Sequence, residues 1–264
     1  MLSDPTALTS RIIFIGLIIE ALETWQLRRS FDPGGLFSRS STAILTSGIS
    51  WHGRIGATTG GSLAIASAMT LQVLAATLAT LEGTHTYAGT LAALTCLLTH
   101  GYLRSRRQIG GSGSEQLTFI FLITFFLVIL AGGSDSARRV GDVFIAAQVL
   151  LAYFTAGVAK AISPIWRHGG ALANIMSTEG YGTTAIARLL TNHPTLDRAL
   201  CWAVIAWEIS FPLVLIAPDS PRIAFISSGV AFHLSCAFLL GLNRFVWSFC
   251  GCYSAIWATA VLLE

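Results

Sequence analysis

Long apolar runs alternate with short segments rich in charged residues, glycine and proline from Ile12 to the end of the chain. A helix needs about 20 predominantly apolar residues to cross the hydrocarbon core of a bilayer. By this criterion the sequence predicts an all-α fold, a polytopic helical transmembrane bundle of about eight spans that forms one domain over residues 1–264. We place these spans at about 11–27, 55–81, 86–103, 116–132, 143–163, 196–217, 222–241 and 244–263.

One longer segment, residues 165–195, lacks the apolar run of a span, and we predict that it lies at the membrane interface. Ala171 to Met176 and Thr183 to Leu190 have the pattern of two short helices, which Gly180-Tyr-Gly182 separates. The pair Ser163-Pro164 precedes this segment. Because proline cannot continue a helix that precedes it, this pair predicts the end of the fifth span.

The composition supports a membrane protein. Hydrophobic residues make up 53% of the chain, charged residues only 11%, and the mean hydropathy is +0.68; a soluble domain has about 25% charged residues. The net charge of +3 comes without a basic block, so nucleic acid is not an expected partner. The five cysteines form no Cys-x-x-Cys pair and the histidines lie far apart in sequence, so we predict packing cysteines and no metal site.

Ionisable side chains at membrane depth are functional candidates, because a charge in a bilayer costs about 3 kcal/mol or more. Glu20 and Glu23 lie three residues apart in the first predicted span and share one helical face. That face points to the bundle interior or a water-filled cavity, or else the helix is short and its lower half lies among the headgroups. Glu208 lies in the sixth span, and His233 in the seventh is either a hydrogen-bonded packing residue or a catalytic one. His100, near the end of the third span, is a weaker candidate.

Lys160 is the only lysine of the chain and lies at the end of an apolar run. One interpretation is that its side chain reaches the interface and anchors a helix end. A second is that it pairs with Glu208 or Glu20, stays charged and is inert. A third is that an apolar pocket without a carboxylate keeps the amine neutral, so that it can act as a general base. The residues by themselves leave all three interpretations open.

The segment Tyr153-Phe-x-Ala-Gly-Val-x-Lys160-x5-Trp166 closely resembles the segment around the catalytic lysine of vitamin K-dependent gamma-glutamyl carboxylases. A second resemblance is Phe232-His233, followed by Gly241, Phe245 and a terminal apolar helix. A weaker third is Asp4-Pro5-x2-Leu8-x2-Arg11 before the first apolar helix. These features together resemble the HTTM (horizontally transferred transmembrane domain) superfamily, whose small bacterial members include SdpB-like factors for maturation of a secreted toxin peptide.

The resemblance implies a carboxylase-like membrane enzyme in which Lys160 is the catalytic base and His233 a second catalytic residue. In the carboxylases the lysine deprotonates reduced vitamin K, and the reaction with O2 that follows drives carboxylation of a peptide glutamate. The cofactor expected here is therefore a reduced quinone of the vitamin K or menaquinone type. The expected partners are membrane lipid and a secreted peptide, in a bacterial cytoplasmic membrane. We assign the substrate or cofactor pocket to Tyr153, Gly157, Trp166, Glu208 and Glu20.

The alternative is a non-catalytic, SdpB-like factor for maturation or export of a secreted peptide toxin, bound to the peptide or to a small partner protein. Lys160 is then half of a structural ion pair. The carboxylases have a further histidine that helps the reaction, and the corresponding region here, Gly113-Ser-Glu-Gln-Leu117, has none. Arginines are also more frequent in the loops after odd-numbered spans, which predicts that Lys160 lies near the cytoplasmic face, whereas the chemistry of the carboxylases faces the lumen or exterior. The resemblance therefore predicts fold and pocket more strongly than carboxylation.

Overall fold

The computed structural model describes residues 5–38, 40–41, 44, 61–82, 86–107, 113–180 and 182–264, and all regular secondary structure in these ranges is helical. The all-α prediction is therefore confirmed. Asp4 and the first residues of the second predicted span lie outside the described residues, as does Tyr181 between the two predicted short helices.

The chain divides into two compact units, Met1–Gly141 and Asp142–Glu264. In the first unit the second helix, α2, packs against both α1 and α3, and α4 packs against α3. The elements are α1 (Pro5–Gln26), a 3-10 turn (Arg28–Phe31), α2 (Ser62–Glu82), α3 (Tyr87–Arg106) and α4 (Gly113–Leu130).

Small side chains line the faces of α2 and α3 that are buried in the first unit. Without large side chains between them, helix backbones approach closely, which is how helices associate where lipid removes the hydrophobic driving force. The Gln72 amide donates from this region to the backbone carbonyl of Leu17 in α1, with an Nε2–O distance of 3.0 Å. The buried small residues are Ala68, Ala75, Ala76 and Ala79 on α2, with Ala92, Ala93 and Cys96 on α3.

The second unit contains most of α5 and all later helices. Its short helices α7 and α8 occupy the segment that the sequence assigns to the membrane interface, and they confirm the two helices predicted there. The elements are α5 (Asp135–Ile162), α6 (Pro164–Arg167), α7 (Ala171–Met176), α8 (Thr184–Asn192), α9 (Pro194–Ser210), a 3-10 turn (Phe211–Leu215), α10 (Asp219–Leu240), a π-helical turn (Val246–Cys250) and α11 (Gly251–Leu262).

Two helix ends position the residues of interest. As predicted, α5 ends at Ile162, and Pro164 begins α6, a position where its missing N–H has no cost. Helix α10 ends at Leu240 and is followed by Gly241, whose φ of +69° is accessible to glycine without strain. The amide of Leu242 donates to the carbonyl of Cys236 at 3.2 Å, which closes the turn and leads the chain into the π-helical turn.

Five helices are long and apolar enough to cross a membrane, which indicates an integral membrane protein with apolar faces in contact with lipid. Helices also occupy the positions of the predicted first, third and eighth spans, but they are not among these five. The five candidate spans are Ser62–Glu82, Gly113–Leu130, Asp135–Ile162, Pro194–Leu215 and Asp219–Leu240.

Candidate functional site

The candidate site begins with one face of α5. Tyr153, Gly157 and Lys160 follow one another at spacings of four and three residues, so their side-chain positions lie on the same face of the helix. A helix rises 1.5 Å per residue, which separates Tyr153 from Lys160 by about 10 Å along the axis. The face therefore has an aromatic hydroxyl at one end and an ammonium group at the other.

Lys160 pairs with Glu208 of α9. Its Nζ lies 2.8 Å from Oε1 and 2.6 Å from Oε2 of Glu208, so both carboxylate oxygens accept hydrogen bonds from the ammonium group. The two partners differ in exposure: the side chain of Glu208 is 5% exposed and that of Lys160 is 21% exposed. The Trp166 ring, from α6, covers the ammonium group with its centroid 5.2 Å from Nζ, a cation–π distance.

Gly157 permits this pair by allowing α5 and α9 to approach each other closely. An ideal Cβ at Gly157 would lie 2.8 Å from Cγ1 and 2.9 Å from the backbone nitrogen of Ile209. It would also lie 3.0 Å from Cβ of Glu208. A side chain at position 157 would therefore separate the backbones at the point where Lys160 and Glu208 meet.

His233 of α10 lies beside Tyr153 in the buried part of the second unit. The Tyr153 hydroxyl lies 2.6 Å from His233 Nε2 and 2.5 Å from the hydroxyl of Tyr253 in α11. All three side chains are buried. Aromatic rings surround this group: the centroids of Phe211 and Trp207 lie 4.1 Å and 5.2 Å from that of Tyr153.

Glu20, which the sequence assigns to the same pocket, lies in a polar cluster of the first unit. Arg107, just after α3, forms an ion pair with Glu20 and donates to Thr24 Oγ1 at 3.0 Å. Its Nη2 also lies 3.2 Å from Oε1 of Glu115 in α4. His100 Nδ1 lies 3.3 Å from Glu20 Oε2 without hydrogen-bond alignment, and His100 Nε2 lies 3.3 Å from the Glu115 carbonyl. Of the two partners left open for Lys160, the structure therefore shows Glu208.

Glu20 is 6% exposed, so the acidic face of α1 points into the first unit, as one of the two sequence interpretations requires. Glu23, one turn further, is half-buried. Burial disfavours the charged form of Arg107, but the charges of Glu20 and Glu115 outweigh it and raise the pKa of Arg107 above its ordinary value. Arg107 is therefore a permanent cation that holds both carboxylates.

Sequence reasoning missed Tyr253, Arg107 and Glu115. Tyr253 carries a signal that is visible in the sequence, since a hydroxyl within an apolar helix needs a hydrogen-bond partner from another element. Arg107 and Glu115 carry opposite charges eight residues apart in the sequence, which favours an ion pair between them. This pair was missed because Arg107 has the sequence pattern of an ordinary arginine at the end of a span.

The described parts of the chain contain no group of three or more His, Cys, Asp or Glu side chains arranged to hold a metal ion. The arrangement in the second unit instead combines a partly exposed amine, a buried carboxylate and a buried imidazole. Such groups can accept, donate and hold protons in an apolar setting. Comparisons with protein-family models, curated proteins and solved structures find no match to this chain.

Proposed function

We propose that this chain is an HTTM-like integral membrane enzyme in which Lys160 and Glu208 act as an acid–base pair on a reduced quinone, in a carboxylase-like modification of a peptide. The observation that carries this proposal is the hydrogen-bonded contact of Lys160 Nζ with both oxygens of Glu208. The lysine is the residue that the resemblance assigns as the base. In this proposal the protein lies in the cytoplasmic membrane of a bacterium, and the site lies within a bundle of eight spans.

The lysine–glutamate pair can still accept a proton, although its two groups are joined. Lys160 Nζ lies within hydrogen-bond distance of both oxygens of Glu208, so a proton can pass from the ammonium group to the carboxylate without either group moving away. The neutral amine of Lys160 then takes up one proton from a substrate hydroxyl, while Glu208 holds the proton that the ammonium group released. The partial exposure of Lys160 gives a substrate access to the pair, while buried Glu208 keeps it oriented.

The aromatic residues around His233 support the choice of a quinone as the ligand in this proposal. Aromatic rings from four elements surround the imidazole and Tyr153, which suits a planar apolar ring. Nδ1 of His233 is buried and has no hydrogen-bond partner among the described residues, so it can bind an oxygen of such a ring. A reduced quinone supplies an acidic hydroxyl and the reducing power for reaction with O2. Lys160 and Glu208 would accept its proton, and His233 would orient its oxygen.

The second candidate function is the non-catalytic, SdpB-like role in maturation or export of a secreted peptide. Its supporting observation is the same ion pair, because a cation held by both oxygens of a carboxylate also suits a structural connection between α5 and α9. In that role a cation is required at position 160, but a base is not.

The test is epoxide formation, followed by mass spectrometry. Purified protein receives reduced menaquinone or vitamin K hydroquinone with O2, bicarbonate and candidate peptides, beside Lys160→Ala. We expect epoxide from the wild type and none from Lys160→Ala. Absence of epoxide from folded wild-type protein would favour the maturation factor.

Lys160→Arg separates the two functions. Arginine stays protonated, so it preserves a cation beside Glu208 but not a basic amine. The enzyme loses epoxide formation with this variant, whereas the maturation factor retains peptide maturation. Full epoxide formation by Lys160→Arg would exclude Lys160 as the base.

A further inference from the structure

Two exposed arginines lie at one corner of the second unit, where α6 meets the beginning of α9. Trp202 of α9 donates from Nε1 to the backbone carbonyl of Arg167 in α6, with an N–O distance of 3.1 Å. An ideal Cβ at Gly169 would lie 2.9 Å from Cβ and 3.0 Å from Cα of Arg198 in α9. The backbones of the two arginines therefore belong to the same corner, and both side chains are exposed there.

Neither arginine of this corner has an acidic partner. Within the part of the chain that the structure describes, no carboxylate forms an ion pair with Arg167 or Arg198. Asp197, the neighbour of Arg198, is only 1% exposed, and its Oδ2 accepts from the backbone amide of Gly170 at 2.8 Å. Glu179 is the one other acidic residue between positions 164 and 198. The corner therefore presents two positive charges without an ion-pair partner.

The corner lies at the ends of two candidate membrane spans. The span Asp135–Ile162 ends five residues before Arg167, and the span Pro194–Leu215 begins four residues before Arg198. Cationic side chains at the ends of spans extend to the headgroups, while their aliphatic stems remain among apolar groups. Trp202, which is 44% exposed, lies one turn further into the second span, at the depth where tryptophan is enriched. Both arginines are therefore at the depth of lipid phosphates.

Exposed apolar side chains occur within two residues of each arginine, which favours a lipid over a soluble acidic partner. Leu196 and Leu200, on either side of Arg198 in α9, are each 40% exposed, and Ile165, two residues before Arg167, is 47% exposed. Acyl chains contact such side chains while a phosphate of the same lipid contacts the guanidinium groups. A soluble acidic peptide would leave them in contact with water, at a cost proportional to the exposed apolar area.

We propose that Arg167 and Arg198 bind the phosphate of an anionic phospholipid headgroup, with Trp202 beside the upper part of its acyl chains. A guanidinium group matches a phosphate with two parallel hydrogen bonds, and an anionic lipid has no cation of its own to compete for the phosphate. The lipid site is independent of the proposed enzyme activity. It is also close to the ion pair in sequence, since Arg167 follows Trp166, the ring that covers Lys160.

The test is native mass spectrometry of the full chain in detergent, titrated with phosphatidylglycerol or with phosphatidylcholine. Both lipids contain a phosphate, but phosphatidylcholine is neutral overall. We expect the wild type to bind phosphatidylglycerol more tightly. Arg167→Gln and Arg198→Gln should each weaken this binding about fivefold and leave phosphatidylcholine binding unchanged, because each removes one cation at headgroup depth. The variant with lysine at both positions should retain most of the preference, because it keeps both charges.

Arg139→Gln is the matched control. Arg139 is an exposed arginine near the beginning of α5, and the carboxylate of Asp135 lies close enough to interact with it. Its removal should leave the preference for phosphatidylglycerol unchanged. Because Arg167 and Arg198 are exposed, their glutamine variants should unfold at the wild-type temperature, which shows that lost binding is not lost folding.

Competition identifies the source of the anion. Neither inorganic phosphate nor a hexaglutamate peptide should displace phosphatidylglycerol, because neither contacts the exposed apolar side chains. Displacement by hexaglutamate would assign the corner to acidic peptides, and displacement by phosphate would assign it to free anions; both results overturn the lipid site. Equal binding of the two lipids by the wild type, or an unchanged preference in the variant with glutamine at both positions, would overturn it as well.

Discussion

Lys160 and Glu208 are unequally exposed, and this inequality decides which partner depends more on the pair. Glu208 is almost completely buried, so its charge is stabilised mainly by Lys160. Lys160 retains a fifth of its side-chain exposure, so its ammonium group keeps some access to water or headgroups. A buried charge whose partner is removed costs about 3–5 kcal/mol.

We predict that Lys160→Met destabilises the protein more than Glu208→Gln does. Lys160→Met leaves a buried carboxylate without its cation and should lower the free energy of unfolding by about 3–5 kcal/mol. Glu208→Gln leaves a cation that can turn toward water, and its cost should be smaller. Chemical unfolding of the purified variants in detergent measures both. The double variant, which is neutral at both positions, should recover part of the loss of Lys160→Met; equal losses in the two single variants would contradict this reasoning.

Arg107, a buried cation of the first unit, gives a second prediction at this scale. Arg107→Gln leaves Glu20 and Glu115 buried without their shared cation, and we expect a loss of about 3–5 kcal/mol in the free energy of unfolding. Arg138→Gln is the matched control, since Arg138 pairs with Asp135, whose side chain is 82% exposed. Exposed pairs contribute about 0–1 kcal/mol, so the control should change little. Similar losses in both variants would show that the cluster does not stabilise the unit.

At the scale of helices, the contact of α5 with α9 depends on the absence of a side chain at Gly157. Gly157→Ala places a methyl group against the backbone of Ile209, and overpacking of this kind costs about 1–3 kcal/mol. We expect lower stability and, because Lys160 and Glu208 move apart, loss of the function that depends on their pair. Thermal unfolding and the epoxide or peptide-maturation assay measure the two effects.

The control for Gly157→Ala is Gly113→Ala in α4, where an added Cβ meets nothing within 4 Å. Alanine favours helix over glycine by about 1 kcal/mol, so this variant should be neutral or slightly stabilised. Destabilisation of both variants to the same degree would show that the close approach of α5 and α9 is not the cause.

The sequence was sufficient to predict the shared face of Tyr153, Gly157 and Lys160, because a helix of known extent determines which positions lie together. It was not sufficient to choose Glu208 over Glu20 as the partner of Lys160. That choice depends on which helices pack together, and the close approach at Gly157 appears in sequence only as one glycine among 25. Local periodicity therefore predicts faces, and tertiary packing assigns their partners.

The residues that sequence reasoning missed also depend on tertiary packing. Tyr253 is one aromatic residue in an apolar helix, and its role depends on the space beside Gly229 in another helix. In the sequence alone, neither Tyr253 nor Gly229 stands out from other residues of its type. The interface segment with α7 and α8 was easier to predict, because proline and glycine mark its boundaries locally.

At the scale of the whole molecule, the number of spans determines the sidedness of the chain. Five helices meet the criteria of length and apolarity, and α1, α3 and the terminal helix do not. These three carry charges, small residues or a π-helical turn that reduce their apolar length, but each can be shielded by neighbouring helices. An even number of spans puts both termini on one side of the membrane, whereas five crossings put them on opposite sides.

We therefore predict that reporter tags at the two termini lie on the same side of the membrane, as eight spans require. A third tag, inserted between Glu82 and Tyr87, tests α1 directly. If both α1 and α2 cross, this tag lies on the same side as the N-terminus; if α2 alone crosses, it lies on the opposite side. Fluorescent and alkaline phosphatase reporters, which are active on opposite sides of a bacterial cytoplasmic membrane, give the answer for each position. Termini on opposite sides, with the third tag opposite the N-terminus, would contradict the prediction and reduce the crossing segments to the five apolar helices.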